Sequence, residues 1–432
     1  MPPLLRLLAI AACAGAAAAA ATVPATDGVL RWQGRVQPRT DGSVAFDSEG
    51  ARIDVVVSGA TSVSIRVNST FLAAAPPAAL AAGPPSPGAA EGDGSVRRIL
   101  QQSQFPKFGV FRALVNGARV FEGQDGVVVL PGEADFTVVS GLSASQTYNI
   151  SIWYTTDSVY NTWPDVNCPG CVMRVLSVST DGAFALAAER TRRLMIFGDS
   201  ITAANQVTKP CSNASDNDHS RSYVSLLCEA FEANCSTVAV SSKGLMRNCC
   251  DSLPVTVPVF ATRTLMQDPA STFDYSAEPA PDAVLINLGS NVPSGFTLPT
   301  AQRPLTYPFP KPAARGPNPP KPRAANDGDG DAAWEAAFVA TYVDFMRNIT
   351  RWTGRHDIVF LCAVGAITDR PLPLVERAMA AAPELTTVLV NMMGATLDGC
   401  GHPGVLGQPQ MAALALPVVA RALNWSVVHP LD

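Results

Sequence analysis

The residues best suited to chemistry lie in four short blocks: "FGDSIT" ending at Thr202, "SSKGLMRN" ending at Asn248, "INLGSN" ending at Asn291, and "GCGHP" ending at Pro403. They supply a serine (Ser200), a glycine (Gly244), an asparagine (Asn291) and a histidine (His402). A serine hydroxyl is a weak nucleophile until a base within hydrogen-bond reach takes its proton, and an imidazole with an unperturbed pKa of ~6.5 suits that task. Acyl transfer also builds a negative oxygen, which the backbone N–H groups of Ser200 and Gly244 and the side-chain amide of Asn291 could stabilise. Taken singly, each residue has a plainer reading. Ser200 could cap a helix, Gly244 could serve a turn, Asn291 could form an Asx-turn, and His402 could be a surface or satisfied core histidine.

What joins the blocks is the succession of elements around them. From Arg193 onward, short apolar runs alternate with helix-length segments. Five strands are predicted, at Leu194 to Phe197, Thr237 to Ser241, Ala283 to Leu288, Ile358 to Ala363 and Thr387 to Asn391. Helices are predicted at about Tyr223 to Ala233, Ala333 to Thr353, Leu372 to Ala382 and Pro409 to Asn424. This alternation implies a parallel sheet covered on both faces. Open parallel sheets bind ligands beyond the carboxyl ends of their strands. Ser200, Gly244, Asn291 and His402 each follow such an end. Of the four histidines, His219 falls in a polar "SDNDHS" stretch, His356 precedes a strand at the wrong end, and His429 is near the terminus.

Upstream, from Val29 to about Thr180, runs such as "ARIDVVVSG", "TSVSIRVNST" and "TYNISIWYTT" show period-two patterning with β-branched residues, as expected of an antiparallel β-sandwich. Two tracts interrupt the chain. Residues from about 73 to 96 are Ala/Pro/Gly-rich and hold almost no large apolar side chain, and those from about 304 to 331 are dense in proline. The expected organisation is a signal peptide over residues 1–22, a β-sandwich over 28–185 carrying the first tract, and an α/β domain over 190–428 carrying the second.

The leader, with Arg6, an apolar stretch and small residues around Ala19 to Ala21, reads as a secretory signal that is cleaved, leaving no membrane span. Six Asn-x-Ser/Thr sequons, at Asn68, Asn149, Asn213, Asn234, Asn348 and Asn424, agree with that route. In an oxidising compartment most of the ten cysteines should pair, and Cys168 and Cys171 of "CPGC" read as members of a structural disulfide or two rather than as a redox or zinc half-site. A net charge of −5 without dense Lys/Arg blocks excludes nucleic acid as a natural partner. No metal-ligand cluster is spaced along the chain, and the chemistry needs neither metal nor cofactor.

Taken together and in this order, the four blocks resemble the signature blocks of the SGNH (GDSL-type) hydrolases. With a preceding β-sandwich, "KGLMRN" and the Gly-Cys-Gly-His-Pro ending, the chain resembles carbohydrate esterase family 2, whose members remove acetyl groups from plant-type polysaccharides. The resemblance implies an SGNH three-layer α/β/α domain with a five-stranded parallel sheet after a jelly-roll-like sandwich. It also implies Ser200 as nucleophile, His402 as base, Ser200, Gly244 and Asn291 as the oxyanion hole, and an acetylated polysaccharide or oligosaccharide as substrate. The enzyme is expected to be secreted and monomeric. A lipid or aryl acyl hydrolase of the same class and a non-catalytic glycan-binding protein are the alternatives.

Two positions depart from the family pattern. Gly289-Ser290-Asn291-Val292 stands where Gly-Thr-Asn-Asp is usual, and the family's acid, three residues before the histidine, is here Gly399. Asp398, one residue earlier, or a backbone carbonyl would then orient His402. Phe296 and Trp334 are candidates for stacking on a sugar ring, with core packing as the alternative for Trp334.

Overall fold

A computed structural model describes residues 20–70, 109–120, 126–157, 170–208, 216–249, 255–291, 328–399 and 401–431. The leader up to residue 19, the first tract, Phe296, Cys168 and the second tract up to residue 327 lie outside the described residues. From Gly328 onward the chain is helical, so the second insertion ends before the expected 331.

Two antiparallel sheets form the sandwich. Among the described residues, one holds six strands, with Ser62–Ser69 between Gly132–Ser140 and Met173–Thr180, and the other holds seven, centred on Arg52–Ser58, Thr147–Tyr154 and Gly109–Val115. Alternation does what the pattern demands: Val63, Ile65 and Val67 point into the core while Arg66 faces solvent. The sandwich begins at Ala21–Pro24, ahead of the expected boundary at 28, because this strand pairs antiparallel with Met173–Thr180.

The parallel sheet contains β1 (Arg192–Gly198), β2 (Ala233–Ala239), β3 (Ala283–Asn287), β4 (Val359–Val364) and β5 (Thr386–Asn391), in the order β2-β1-β3-β4-β5. Both faces are apolar because both are covered. Met195 and Phe197 pack toward α3 (Val257–Phe260), α4 (Gly328–Thr353) and α5 (Leu372–Ala380), whereas Leu194 and Ile196 pack toward α2 (Tyr223–Ala230) and α6 (Gly407–Leu423). A single helical turn, α1 (Ser200–Ala203), follows β1. The β2 strand starts four residues before the predicted Thr237. As an edge strand it carries the polar run Asn234–Thr237, and its Cys235 is disulfide-bonded to Cys228 of α2. Cys171 and Cys249 are also disulfide-bonded.

Buried polar contacts weld the sandwich to the α/β unit. Arg35, 1% exposed, donates to the carbonyls of Ala261 and Arg263, both at 3.2 Å, and lies 3.3 Å from the Phe273 ring centroid. Asp47 accepts the N–H groups of Met266 at 2.9 Å and Gln267 at 2.7 Å, and burial lifts its carboxyl to about 7. Arg52 lies over Trp153 and bridges Asp54, at 2.6 Å, and Glu229 of α2. Removing one partner of such a buried pair leaves charge without compensation, so Arg52→Ala is expected to destabilise the protein by roughly 3 kcal/mol. Chemical denaturation with circular dichroism would check this, and an unchanged midpoint would show the junction to be energetically idle.

Candidate active site

At the carboxyl end of β1, Asp199 rather than Ser200 caps the helical turn, its carboxylate accepting the N–H of Ile201 at 3.0 Å. The Ser200 hydroxyl is therefore free of the capping role, and its Oγ lies 2.8 Å from His402 Nε2. Ser200 is 6% exposed and His402 half-buried, so the pair lies just beneath the surface.

The loop carrying His402 is held from two sides. Gly399 donates its N–H to the His402 carbonyl at 2.9 Å, closing a tight turn. Gln408, buried on α6, donates to the carbonyls of Ile201 at 2.9 Å and Pro403 at 3.3 Å and accepts the Tyr223 N–H at 2.8 Å. One amide thus locks the serine turn, α2 and the histidine loop together. Asp398 is placed differently from an orienting acid. Its two oxygens accept the backbone N–H groups of Gly404 (2.7 Å), Leu406 (2.8 Å) and Gly407 (2.9 Å), and none of its hydrogen bonds goes to the imidazole. The sequence offset explains this: with only Gly399, Cys400 and Gly401 between them, Asp398 faces the amino end of α6, whose unpaired N–H groups draw a carboxylate. Partial burial opposes its charge, but the amides of Leu406, Gly407 and Gly404 outweigh that and hold its carboxyl below the usual range.

Gly244 and Asn291 lie side by side, and a Cβ on Gly244 would stand 3.5 Å from that of Asn291. A Cβ on Gly244 would stand 2.1 Å from the Arg247 carbonyl oxygen, so no other residue fits the turn that aims its N–H. That N–H rests on Asn248 Oδ1 at a long 3.3 Å. Gly289, at φ +127°, turns the chain out of β3 toward Ser290 and Asn291. Asn291 Nδ2 donates to the Lys243 carbonyl at 2.8 Å and, more loosely, to Asp199 at 3.3 Å.

Asp199 is the centre that sequence reasoning missed. It has no solvent exposure, and it also accepts the Ser290 hydroxyl. Burial raises its carboxyl to about 6 against the hydrogen bonds from Ser290 and Ile201, and Asp157 adds to the rise. The signal was the acid inside "GDS" itself.

Trp334 is 6% exposed and packs on Phe338 at 5.5 Å, yet it lines the cleft that Gly244, Met246, Arg247 and Asn291 also border. It is both core and cleft wall. His219, expected in a polar loop, is buried at the junction beside Trp153, which pushes its pKa down to about 4. Among the described residues no cluster of three or more His, Cys, Asp or Glu could hold a metal, and no helix is long and apolar enough to cross a membrane.

No protein-family model matches the chain, and no curated protein matches it. Solved structures do. An acetyl xylan esterase from the rumen bacterium Butyrivibrio proteoclasticus matches at TM-score 0.68 and 13% identity, over 94% of this chain and 100% of that one. A family two carbohydrate esterase from Cellvibrio japonicus matches at TM-score 0.65 and 15% identity, over 94% and 99%. The fold is that of the family two carbohydrate esterases. A third structure with this fold, from Clostridium thermocellum in complex with cellohexaose, matches at TM-score 0.63 and 16% identity, over 92% and 100%. The carbohydrate-esterase fold thus spans both the sandwich and the α/β unit, with Ser200 and His402 at the carboxyl end of the parallel sheet.

Proposed function

We propose that the protein is a secreted serine esterase that removes O-acetyl groups from carbohydrate through an acetyl-serine intermediate. The observation that carries this reading is the 2.8 Å contact between Ser200 Oγ and His402 Nε2, beside Asp199, whose carboxylate receives Asn291 Nδ2 at 3.3 Å. Ser200 gives its proton to His402 as it attacks the ester carbonyl, and the carbonyl oxygen becomes an oxyanion. The donors are the N–H groups of Ser200 and Gly244 and Asn291 Nδ2. The two 3.3 Å contacts, from Gly244 to Asn248 and from Asn291 to Asp199, are the loose ones an oxyanion would displace. The imidazolium then protonates the departing sugar hydroxyl. Water, deprotonated by His402, attacks the acetyl-serine and releases acetate.

A carbohydrate substrate is supported by the likeness to an esterase solved with cellohexaose and by Trp334 in the cleft wall. Secretion is supported by the leader, the sequons and the Cys228–Cys235 disulfide. A lipid or aryl ester substrate is favoured by one feature, the exposed Leu397, Val405 and Leu406 beside the histidine loop. Acetate release from acetylated polysaccharides, measured beside hydrolysis of long-chain esters and with Ser200→Ala as control, decides between them. Preference for the long-chain esters would favour the second reading, and no release above the control would leave a glycan-binding protein.

Asp398 acts on the loop rather than on the ring in this scheme. Asp398→Asn is expected to lower turnover by no more than about 10-fold, whereas loss of a true triad acid costs about 10,000-fold. It should also cost roughly 1 kcal/mol of stability, because an amide nitrogen replaces one acceptor oxygen. The depressed carboxyl contributes its stability at neutral pH and loses it as acid protonates the folded form, below the ordinary carboxylate range. Steady-state kinetics with thermal melts at two pH values would check both parts.

A further inference from the structure

The turn that carries Gly244 is strained. Ser242, just before it, has φ +69°, a left-handed conformation that a residue other than glycine adopts only when its surroundings hold it there. Two of the holding bonds are local: Lys243 N–H to the Val240 carbonyl at 3.1 Å, and Cys249 N–H to the Ser242 carbonyl at 2.9 Å. The third comes from the other half of the molecule. Asp157, just beyond the sandwich strand Thr147–Tyr154, has no solvent exposure and accepts the Ser241 N–H through Oδ2 at 3.1 Å.

The two residues before Asp157 are tied to the sandwich. Thr155 N–H donates to the Val110 carbonyl at 3.0 Å, the Thr156 hydroxyl oxygen accepts the Val110 N–H at 2.9 Å, and Arg112 donates to the Thr155 hydroxyl at 2.6 Å. On the far side of the strained turn, the Lys243 carbonyl receives Asn291 Nδ2, and the next N–H is that of Gly244. Whatever fixes Ser241 and Ser242 therefore sets where the Gly244 N–H and Asn291 Nδ2 stand.

We propose that Asp157 of the β-sandwich is a positioning residue for the oxyanion site: by fixing the Ser241 N–H it holds the Ser242 turn in the conformation that aims Gly244 and Asn291. The inference rests on the esterase reading for its kinetic consequence, though not for its structural one. It also gives the sandwich a part in catalysis, whether or not that domain binds glycan.

The test uses the full-length protein with Asp157→Ala, Asp157→Asn and Asp157→Ala combined with Ser242→Gly, assayed on 4-nitrophenyl acetate and normalised to active serine titrated with a phosphonate. Loss of donor alignment in Asp157→Ala should lower kcat by roughly 100-fold with KM changed less than about 3-fold, the scale of losing one oxyanion donor. Asp157→Asn keeps an acceptor oxygen and should recover to within about 10-fold of the parent. Adding Ser242→Gly should restore about 10-fold of the lost kcat, since glycine takes a positive φ without steric cost. A purely structural role would instead lower the amount of titratable protein and leave kcat per active serine unchanged, which overturns the proposal. If the alanine variant does not fold, Asp157→Leu, of similar size and without an acceptor, and its Ser242→Gly derivative carry the same comparison. Crystal structures of the variants read the inference without any activity: Ser242 leaving the left-handed region and Asn291 Nδ2 parting from the Lys243 carbonyl support it, and an unmoved turn sinks it. A parent protein without hydrolysis, but with a moved turn in the variants, would overturn the esterase reading alone.

Discussion

Ser200→Ala and His402→Ala are each expected to remove nearly all ester hydrolysis, lowering turnover by roughly 10,000-fold or more, with the double variant no worse than either alone. The non-additivity follows from the 2.8 Å contact: in the proposed mechanism the hydroxyl attacks only while the imidazole takes its proton, so either deletion stops the same step. Neither change should unfold the protein, because the serine hydroxyl plays no capping part and His402 is half-buried at the surface. The measurement is initial-rate hydrolysis of an acetylated oligosaccharide by protein whose melting curve matches the parent. Activity within ten-fold of the parent in a folded Ser200→Ala protein would end the acyl-enzyme mechanism.

Asn291→Ala comes next in size. In the proposed mechanism its amide nitrogen is an oxyanion donor, and deleting one such donor lowers turnover by about 100- to 1,000-fold. Here the change has a second consequence, because Asn291 Nδ2 also touches Asp199 and the Lys243 carbonyl. Asp199 keeps its bonds from Ser290 and Ile201, so the carboxylate is not left bare and the fold should survive. The expected signature is a fall in kcat with KM nearly constant, since the oxyanion exists only in the transition state. A rise in KM at constant kcat would place Asn291 in ground-state binding.

These two predictions rest on residues that were visible in the sequence because a backbone rule made them so. Ser200 and Asn291 follow β1 and β3, and parallel strands buried on both faces must be apolar along their length, which is why these runs stood out; His402 follows the half-exposed edge strand β5 and was marked by its place after the last strand. The sandwich was visible through the complementary rule: Val63, Ile65 and Val67 alternate with outward residues because only one face of that strand is buried. The start of β2 was not, since an edge strand tolerates the polar run Asn234–Thr237. The stretch between α3 and β3 was not legible either. It has little regular structure, and its order comes from Arg35 and Asp47, side chains more than two hundred positions away.

The sequence by itself determined the two kinds of layer and the four short blocks, because strand period, burial and turn chemistry act over a few residues and leave a local pattern. Only the tertiary structure decided which groups meet. It gave the helical cap to Asp199 instead of Ser200, turned Asp398 to the amides of α6 instead of the imidazole, and brought Asp157 from the sandwich under the turn that carries Gly244. Hydrogen bonds between distant segments obey distance and direction rather than sequence interval, so a carboxylate written into the chain as a candidate acid becomes a cap or a positioning group only when packing sets what stands within 3 Å of it.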